Sequence, residues 1–238
     1  MCARTPPRVH RIRAAPNYPR GGASFLLVPM DRSEFGPIVL EGPHIRLEPL
    51  DRRHADDLAE AASDPLIWRW LPVQVATRED LDSWIEAALA AAAAGTERAF
   101  AVVDLRTGRA VGSTRYMDIA PAHKGVEVGW TWYGRAAWGS VVNPEAKLLL
   151  LTHAFEDWGA IRLYLKTDSL NERSRSAIAR LGAKYEGDLR NHRIRPDGSY
   201  RHSSHYSIID TEWPAVKRSL EERVNGFAGG HSDLSPGG

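Results

Sequence analysis

Residues 137–151 read AWGSVVNPEAKLLLL, in which a short polar turn leads directly into an apolar helix. Asn143 is a suitable N-cap, Pro144 suits the first helical position, and Glu145 is favoured at the positive end of a helix. Backbone N–H groups in a first helical turn lack intrahelical acceptors, and together with the helix dipole they bind anions such as phosphate. Taken by itself, the stretch favours an ordinary helix start, because it is short and lacks the lysine of a P-loop.

The composition excludes several classes of protein. The chain has 238 residues, of which 43% are hydrophobic and 26% charged, so it can form a packed core. A net charge of +1 gives no support for a protein that coats nucleic acid. The single cysteine, Cys2, excludes a disulfide framework and a cysteine-rich metal site, so we expect a cytoplasmic protein. No run of 18 apolar residues predicts a membrane span.

The two ends of the chain differ from its middle. Residues 1–36 carry six arginines and several prolines, and we predict a disordered tail there, with Met30 as an alternative start. A transit peptide is disfavoured because the prolines interrupt an amphipathic helix. Residues 225–238 are rich in glycine and serine and predict a flexible tail. We therefore predict a single domain over residues 37–224.

Within that domain, segments of strand and helix periodicity alternate. The predicted helices cover 51–63, 77–94, the apolar run after Asn143, 172–181 and 212–224. The predicted strands cover 44–50, 99–104, 110–119, 125–133, 161–167, 188–195 and 200–210. This order predicts a mixed α/β fold of the α+β type, with a mostly antiparallel sheet and one parallel step between 125–133 and 161–167.

Three stretches together resemble a known family. They are VEVGWTWY (126–133), WGSVVNPEAKLLLLTHAFE (138–156) and LKTDSLNERSRSAIARLGAKYEG (165–187). Their order of strand, turn, helix and strand, followed by Asn-x-x-Ser before Leu-Gly-Ala, resembles the acetyl-CoA core of the GNAT N-acetyltransferase superfamily. The RimJ/RimL-type branch is the most similar, and the resemblance extends over about residues 38–212.

The resemblance implies the GNAT fold and a binding site for acetyl-CoA. In the family, backbone amides of a Gln/Arg-x-x-Gly-x-Gly/Ala loop hold the coenzyme pyrophosphate. Here Val141 or Val142 replaces one glycine, but a valine still supplies a backbone N–H. The resemblance also places the acetyl group in a gap beside strand 125–133, where amides polarise the thioester carbonyl. The cofactor-binding residues implied are Val128, Gly129, Trp130, Trp138, Gly139, Ser140, Val141, Val142, Asn143 and Asn171.

The same strand supplies a candidate base. Strand alternation places Glu127 on one face with Gly129 and Thr131, and Trp130 and Trp132 on the other. Glu127 is the predicted general base, acting through a water molecule. The alternative is a surface carboxylate that pairs with a neighbouring lysine such as Lys124.

The Asn-x-x-Ser motif supplies a candidate acid. Ser174 matches the position that in RimL-like relatives is suggested to protonate the coenzyme thiolate; otherwise it is a helix-surface or capping serine. Asn171 either bonds the pantetheine arm or caps its helix, and it can do both. Tyr164 and Tyr185 are alternative acids that fit the family motif less well.

Histidines and tryptophans offer weaker candidates. His202 and His205 lie three residues apart on a strand and point to opposite faces, so we predict no metal site. One histidine could still line the acceptor pocket. Trp68 and Trp70 either shape the entry of the acceptor or fill the core.

These features predict an N-acetyltransferase that moves acetyl from acetyl-CoA to a primary amine by direct attack in a ternary complex. The acceptor is a protein N-terminus or a small amine, and self-association as a homodimer stays open. No nucleic acid, membrane or metal is expected. The alternatives are a non-catalytic acyl-CoA-binding protein, supported by the altered glycine pattern at 139–142, and an unrelated interaction module.

Overall fold

The structure, a computed structural model, describes residues 8–11, 36–195 and 197–229. Its centre is a nine-stranded sheet in the order β1-β2-β3-β4-β5-β6-β7-β9-β8. The strands are β1 (Arg8–Arg11), β2 (Ile38–Glu41), β3 (Ile45–Pro49), β4 (Arg98–Asp104), β5 (Arg109–Ala120), β6 (Gly125–Tyr133), β7 (Arg162–Asp168), β8 (Lys184–Ile194) and β9 (Tyr200–Ile209).

Neighbouring strands are antiparallel except in two pairs. β1 runs parallel to β2, and β6 runs parallel to β7. The β6–β7 pair is the parallel step that the sequence predicts, and its crossover contains the helix that follows residue 141. The prediction of a mixed, mostly antiparallel sheet flanked by helices is therefore confirmed.

Five α-helices flank the sheet: α1 (Ala55–Ala61), α2 (Arg78–Ala93), α3 (Val142–Thr152), α4 (Glu172–Arg180) and α5 (Trp213–Gly229). A π-helical turn, His153–Asp157, extends α3. Thr77 and Asp80 form a capping box at the start of α2. None of the helices in the described ranges combines the length and apolar character needed to cross a membrane.

The sheet separates two apolar cores. One contains Leu149 of α3 and Leu220 of α5 together with inward residues of the strands. The other contains Leu58 of α1 and Ile85 of α2. β4 lies between the two cores and buries both of its faces, which explains why it reads as a nearly continuous apolar run.

The structure differs from the predicted tails at two places. Residues 8–11, inside the segment predicted to be disordered, form β1 and pair with β2. Helix α5 continues to Gly229, five residues beyond the predicted domain end at 224. The rest of the predicted tails, 1–7, 12–35 and 230–238, lies outside the described residues.

Candidate active site

The start of α3 is built differently from the prediction. The helix begins at Val142, and Val141 is its N-cap without a side-chain capping bond, so the prediction of Asn143 as N-cap is wrong. The reason is Ser140, whose Oγ donates to Ala137 O at 2.7 Å and accepts from Val142 N at 3.3 Å. This side chain closes the turn early, and the chain enters the helix two residues sooner than predicted. The predicted phosphate-binding run 138–143 still surrounds the helix N-terminus.

Two arginines flank this turn. The guanidinium carbon of Arg173 lies 3.6 Å from the ring centre of Trp138, and that of Arg135 lies 4.5 Å from it. Trp138 is held in place by its Nε1, which donates to Tyr133 O at 2.8 Å. Burial lowers the pKa of Arg173 and the charge of Arg135 lowers it further, while Asp64 opposes both. An anion at this turn would relieve the repulsion between the two guanidinium groups.

Asn171 and Ser174 lie beside this cation pair at the start of α4. Asn171 Oδ1 accepts from Ser174 N at 3.1 Å, which confirms Asn171 as the N-cap of α4. This capping bond uses the backbone N–H of Ser174. The hydroxyl of Ser174, which is partly buried, is therefore left for other partners. The contact of Asn171 with the pantetheine arm and the acidic role of Ser174 stay predictions.

Strands β6 and β7 separate in the middle of the sheet. Their pairing is restricted to residues 125–127 of β6. Beyond Glu127 the amides of Val128, Gly129 and Trp130 follow, at the point where the two strands diverge. A side chain on Gly129 would lie 2.9 Å from Met117 Sδ and 3.1 Å from Glu127 Oε1, so glycine keeps this passage open. The predicted acetyl-binding amides thus border a gap in the sheet.

A β-bulge corrects the predicted faces of β6. The register with β5 shifts between Ser113 and Arg115, and Trp130 has a φ of 48°. Thr131 therefore faces α3, while Trp132 packs against the α2 side. The predicted grouping of Thr131 with Glu127 is wrong, as is the placement of Trp132 on the face opposite Glu127, because the extra residue reverses the alternation.

Glu127 lies at the edge of the gap and is buried. Its side chain is only 1% exposed, and Oε2 lies 2.7 Å from Lys166 Nζ on β7. The surface alternative with Lys124 is therefore wrong. Burial raises the pKa of Glu127 to about 7; Lys166 opposes the rise and the neighbouring Asp118 adds to it. A carboxylate with this pKa can accept a proton at neutral pH.

Sequence and structure comparisons give the family. A sequence profile described as an acetyltransferase (GNAT) domain matches residues 44–184. The chain belongs to the GNAT acetyltransferase family. It is an acyltransferase, and acyl transfer from acetyl-CoA is the reaction of the family. No curated protein matches the chain significantly.

Solved GNAT structures share the fold over most of their length. A protein assigned as an acetyltransferase from T. thermophilus is 38% identical, with a TM-score of 0.72 over 79% of this chain and 97% of that chain. A GCN5-related N-acetyltransferase from Brucella melitensis is 30% identical, with a TM-score of 0.74 over 78% and 85%. Mycobacterium smegmatis RimJ, solved with CoA-disulfide, is 21% identical with a TM-score of 0.67 over 79% and 96%, which shows similarity of fold.

In this GNAT domain the sequence prediction missed Lys147. It lies on the sheet side of α3, 7% exposed, and its Nζ donates to Thr131 Oγ1 at 2.8 Å. Burial lowers the pKa of Lys147 to about 7. Arg135 and Arg173 were also missed. For Lys147 and Arg135 the only signal was a cation inside or beside the apolar helix α3, and Arg173, in the polar helix α4, carried no such signal.

The remaining candidate residues of the GNAT domain differ in position: some belong to the apolar core, and others lie near the site or on the surface. Trp68 is fully buried against Trp84 and Trp132, so it belongs to the core. Trp70 lines a cavity beside the sheet. Tyr164 lies opposite Glu127 on β7, and burial followed by the charges of Asp118 and Glu127 raises its pKa far above neutrality, so it stays protonated. Tyr185 is exposed on the outer strand β8.

The two histidines of β9, His202 and His205, have different surroundings. His205 lies opposite Lys166, and the ring of His192 is 5.7 Å from that of His205. His202 instead accepts a hydrogen bond from Asn191 N through Nδ1. The described part of the chain contains no group of three metal-binding side chains.

Proposed function

We propose that this GNAT enzyme transfers the acetyl group of acetyl-CoA to a primary amine by direct attack in a ternary complex. The observation that carries the proposal is the buried Glu127, with a pKa of about 7, at the point where β6 and β7 separate. An amine is protonated at neutral pH and must lose a proton before it can attack.

Each step of the transfer has a candidate group. Glu127, through a water molecule, takes the proton from the ammonium group. The free amine then attacks the thioester carbonyl carbon, and the carbonyl oxygen accepts from backbone N–H groups of residues 128–130. The C–S bond breaks as the tetrahedral intermediate collapses. The second proton lost by the attacking nitrogen passes through the Ser174 hydroxyl to the departing thiolate, so coenzyme A leaves as the thiol and Ser174 keeps its proton. No step needs a covalent enzyme intermediate.

The coenzyme phosphates are assigned to the α3 turn. The residues that support this are Arg135, Arg173 and the amides of 139–143, where two cations face each other across Trp138. The positive φ of Gly139, 72°, is a conformation that glycine adopts at little cost. Val141 and Val142 contribute their backbone amides, so loss of one family glycine leaves the donors in place.

The RimJ/RimL branch remains the preferred assignment within the family. It is supported by the Asn171-x-x-Ser174 and Leu-Gly-Ala motifs of α4, and its acceptors are protein N-termini or small amines. We place the reaction in the cytoplasm and leave homodimerisation as an expectation.

The first experiment is calorimetric titration of the full chain with acetyl-CoA and with acetyl-pantetheine, which lacks the nucleotide phosphates. We expect micromolar binding of acetyl-CoA and binding at least about tenfold weaker for acetyl-pantetheine. Arg173→Gln should weaken acetyl-CoA binding about five- to tenfold, because a charge-assisted contact to phosphate is lost, without changing acetyl-pantetheine binding. Arg180→Gln, on the exposed end of the same helix, is the control.

Thiol release is then measured with a panel of amines. Release that depends on the amine supports the transfer. Binding of acetyl-CoA without release for any amine would favour the non-catalytic alternative. Absence of acetyl-CoA binding would contradict both the proposed transfer and the non-catalytic acyl-CoA-binding alternative.

A further inference from the structure

A cavity of about 350 Å³ lies between the loop that follows Trp68 and the β8–β9 hairpin. Its wall contains four arginines, Arg69, Arg193, Arg195 and Arg201, but only one carboxylate, Asp168. The loop also contributes Trp70, whose ring lies 4.9 Å from the guanidinium carbon of Arg69. The cavity is therefore strongly cationic and partly aromatic.

Asp168 is already paired. Its carboxylate accepts from Arg195 Nε at 2.7 Å and from Arg195 Nη2 at 3.0 Å. Arg195 Nη1 in turn donates to Ser199 Oγ at 3.0 Å and to Tyr200 O at 2.7 Å. This bidentate pair neutralises the acid of the cavity and leaves the other arginines in excess.

Arg201 carries the unsatisfied charge. Its side chain is 13% exposed, and its Nε is 4.0 Å from Asp168 Oδ2, beyond hydrogen-bond distance. Within the described ranges this Nε is buried and has no acceptor. Burial lowers the pKa of Arg201, as do the charges of Arg193 and Arg195, while Asp168 opposes the shift. A buried guanidinium N–H group without an acceptor is costly, and the distant charge of Asp168 does not supply one, so a bound anion would remove that cost.

The cavity lies on the same face of the sheet as Glu127. Glu127 pairs with Tyr164 of β7, and Lys166, which contacts Glu127, precedes Asp168 by two residues on the same side. Arg201 likewise shares a side of β9 with His205, which lies opposite Lys166. Four residues of β7 separate the level of Glu127 from that of Asp168, roughly 13 Å.

We propose that this cavity binds a carboxylate of the acceptor, so that the substrate is an amine with an anionic group on the order of 10 Å away. The inference rests on the proposed amine acetylation and names its substrate class. A tripeptide spans about this length from its amino group to its C-terminal carboxylate. An acidic side chain near a protein N-terminus would present the same chemistry. Polyamines and polycationic antibiotics would be repelled by the three excess arginines.

The test compares acceptors that differ only in charge. Trialanine with a free carboxylate is compared with trialanine amide, and Ser-Glu-Ala amide with Ser-Gln-Ala amide. The first pair reports on a C-terminal carboxylate and the second on a side-chain carboxylate. For at least one pair we expect kcat/KM to be tenfold or more higher for the acid, about the effect of one hydrogen bond to a charged group.

The variants assign the preference to the cavity. Arg201→Gln should abolish the preference for the acid, because kcat/KM falls more for the acidic peptide of a pair than for the uncharged one. Arg69→Gln, on the exposed loop, should reduce the preference about threefold even if the Arg201 variant folds poorly. Arg218→Gln, on the exposed side of α5, should retain it.

Two outcomes would overturn the cavity proposal: equal kcat/KM within both peptide pairs, or better turnover of spermidine than of any acidic peptide. Calorimetry of the acidic peptides with the full chain saturated by coenzyme A separates this failure from that of the proposed reaction. If an acidic peptide binds in a way that depends on Arg201 but no amine is acetylated, the proposed amine transfer is contradicted and the proposed carboxylate site is supported.

Discussion

The pKa of Glu127 is set by burial and by two charged neighbours with opposing effects. The burial of its carboxylate raises its pKa, Lys166 at 2.7 Å lowers it, and Asp118 raises it again, giving a pKa of about 7. In water a glutamate would be too weak a base to take a proton from an ammonium group near neutrality. The position of this one side chain therefore decides whether the gap beside β6 can support amine transfer.

Replacement of Glu127 tests this role. Glu127→Gln should lower kcat about 10²- to 10⁴-fold, the usual contribution of a general base, and leave the Kd of acetyl-CoA within about twofold. In the wild type, kcat/KM should rise with pH through an apparent pKa near 7. Turnover of the variant equal to wild type across the pH range would remove Glu127 as the base.

Lys166 supplies an independent check on the same titration. Lys166→Met removes the charge that lowers the pKa of Glu127, so the acid limb of kcat/KM should move upward by about one pH unit or more. Lys124→Met removes the lysine that lies nearest in sequence and should leave the limb unchanged. If both variants shift the limb equally, the ion pair does not set the pKa.

At the scale of elements, Glu145 joins the start of α3 to the turn between β2 and β3. Its Oε1 accepts from His44 N at 2.9 Å and from Ile45 N at 3.2 Å, and Oε2 lies 2.7 Å from His44 Nδ1. A side chain on Gly42 would overlap Glu145 Oε1, so this glycine is needed for close approach. Glu145 holds α3, and with it the turn predicted to bind phosphate, in a fixed position against the turn between β2 and β3.

Removal of this carboxylate should therefore be costly. Glu145→Ala should lower the free energy of unfolding by about 2–4 kcal/mol, because it leaves the backbone N–H groups of His44 and the buried Ile45 without their carboxylate acceptor. Glu172→Ala, at the exposed first turn of α4, is the matched control and should cost about 0.5 kcal/mol or less. Urea denaturation gives both values, and equal losses would show that Glu145 contributes only to the helix dipole.

At the scale of the whole molecule, the two cores exclude water from both faces of the central strands, and Lys147 is buried between α3 and β6. Its pKa of about 7 in the folded protein compares with an ordinary value of 10.5. Between these values the unfolded chain holds the proton and the folded chain has lost it. The stability contributed by this group therefore increases as the pH rises above 7.

The pH dependence of stability tests this sign. Between pH 7 and 9 the wild type should gain about 1–2 kcal/mol in unfolding free energy relative to Lys147→Met, which cannot titrate. Glu127 contributes little to this window, because above its pKa it is ionised in both states. Lys184→Met, on the exposed strand β8, should follow the wild type. If the difference in unfolding free energy between the wild type and Lys147→Met is constant between pH 7 and 9, burial does not lower the pKa of Lys147 into this range.

The strands from β3 onward, the five α-helices and the polar turn before α3 were predictable from sequence, whereas β1 and β2 were not. Glu127 was named as a candidate base from sequence, and its role stays a prediction. The predictable elements depend on signals that lie within a few residues, namely strand alternation, the capping box of Thr77 and Asp80, and the polar turn before an apolar helix. The resemblance of three stretches to GNAT enzymes was confirmed by the family profile. The predicted N-cap Asn143 failed because the hydroxyl of Ser140 closes the turn first.

Only the tertiary structure decided what surrounds these residues. The bulge at Trp130 reverses the faces of Thr131 and Trp132, Lys166 rather than Lys124 meets Glu127, and Arg135 and Arg173 enclose Trp138. The arginine cavity likewise joins the loop after Trp68 to a distant hairpin. Sequence periodicity fixes which residues can share a face, but strand register and the packing of distant segments determine which charges meet, and those charges set the pKa values on which the chemistry depends.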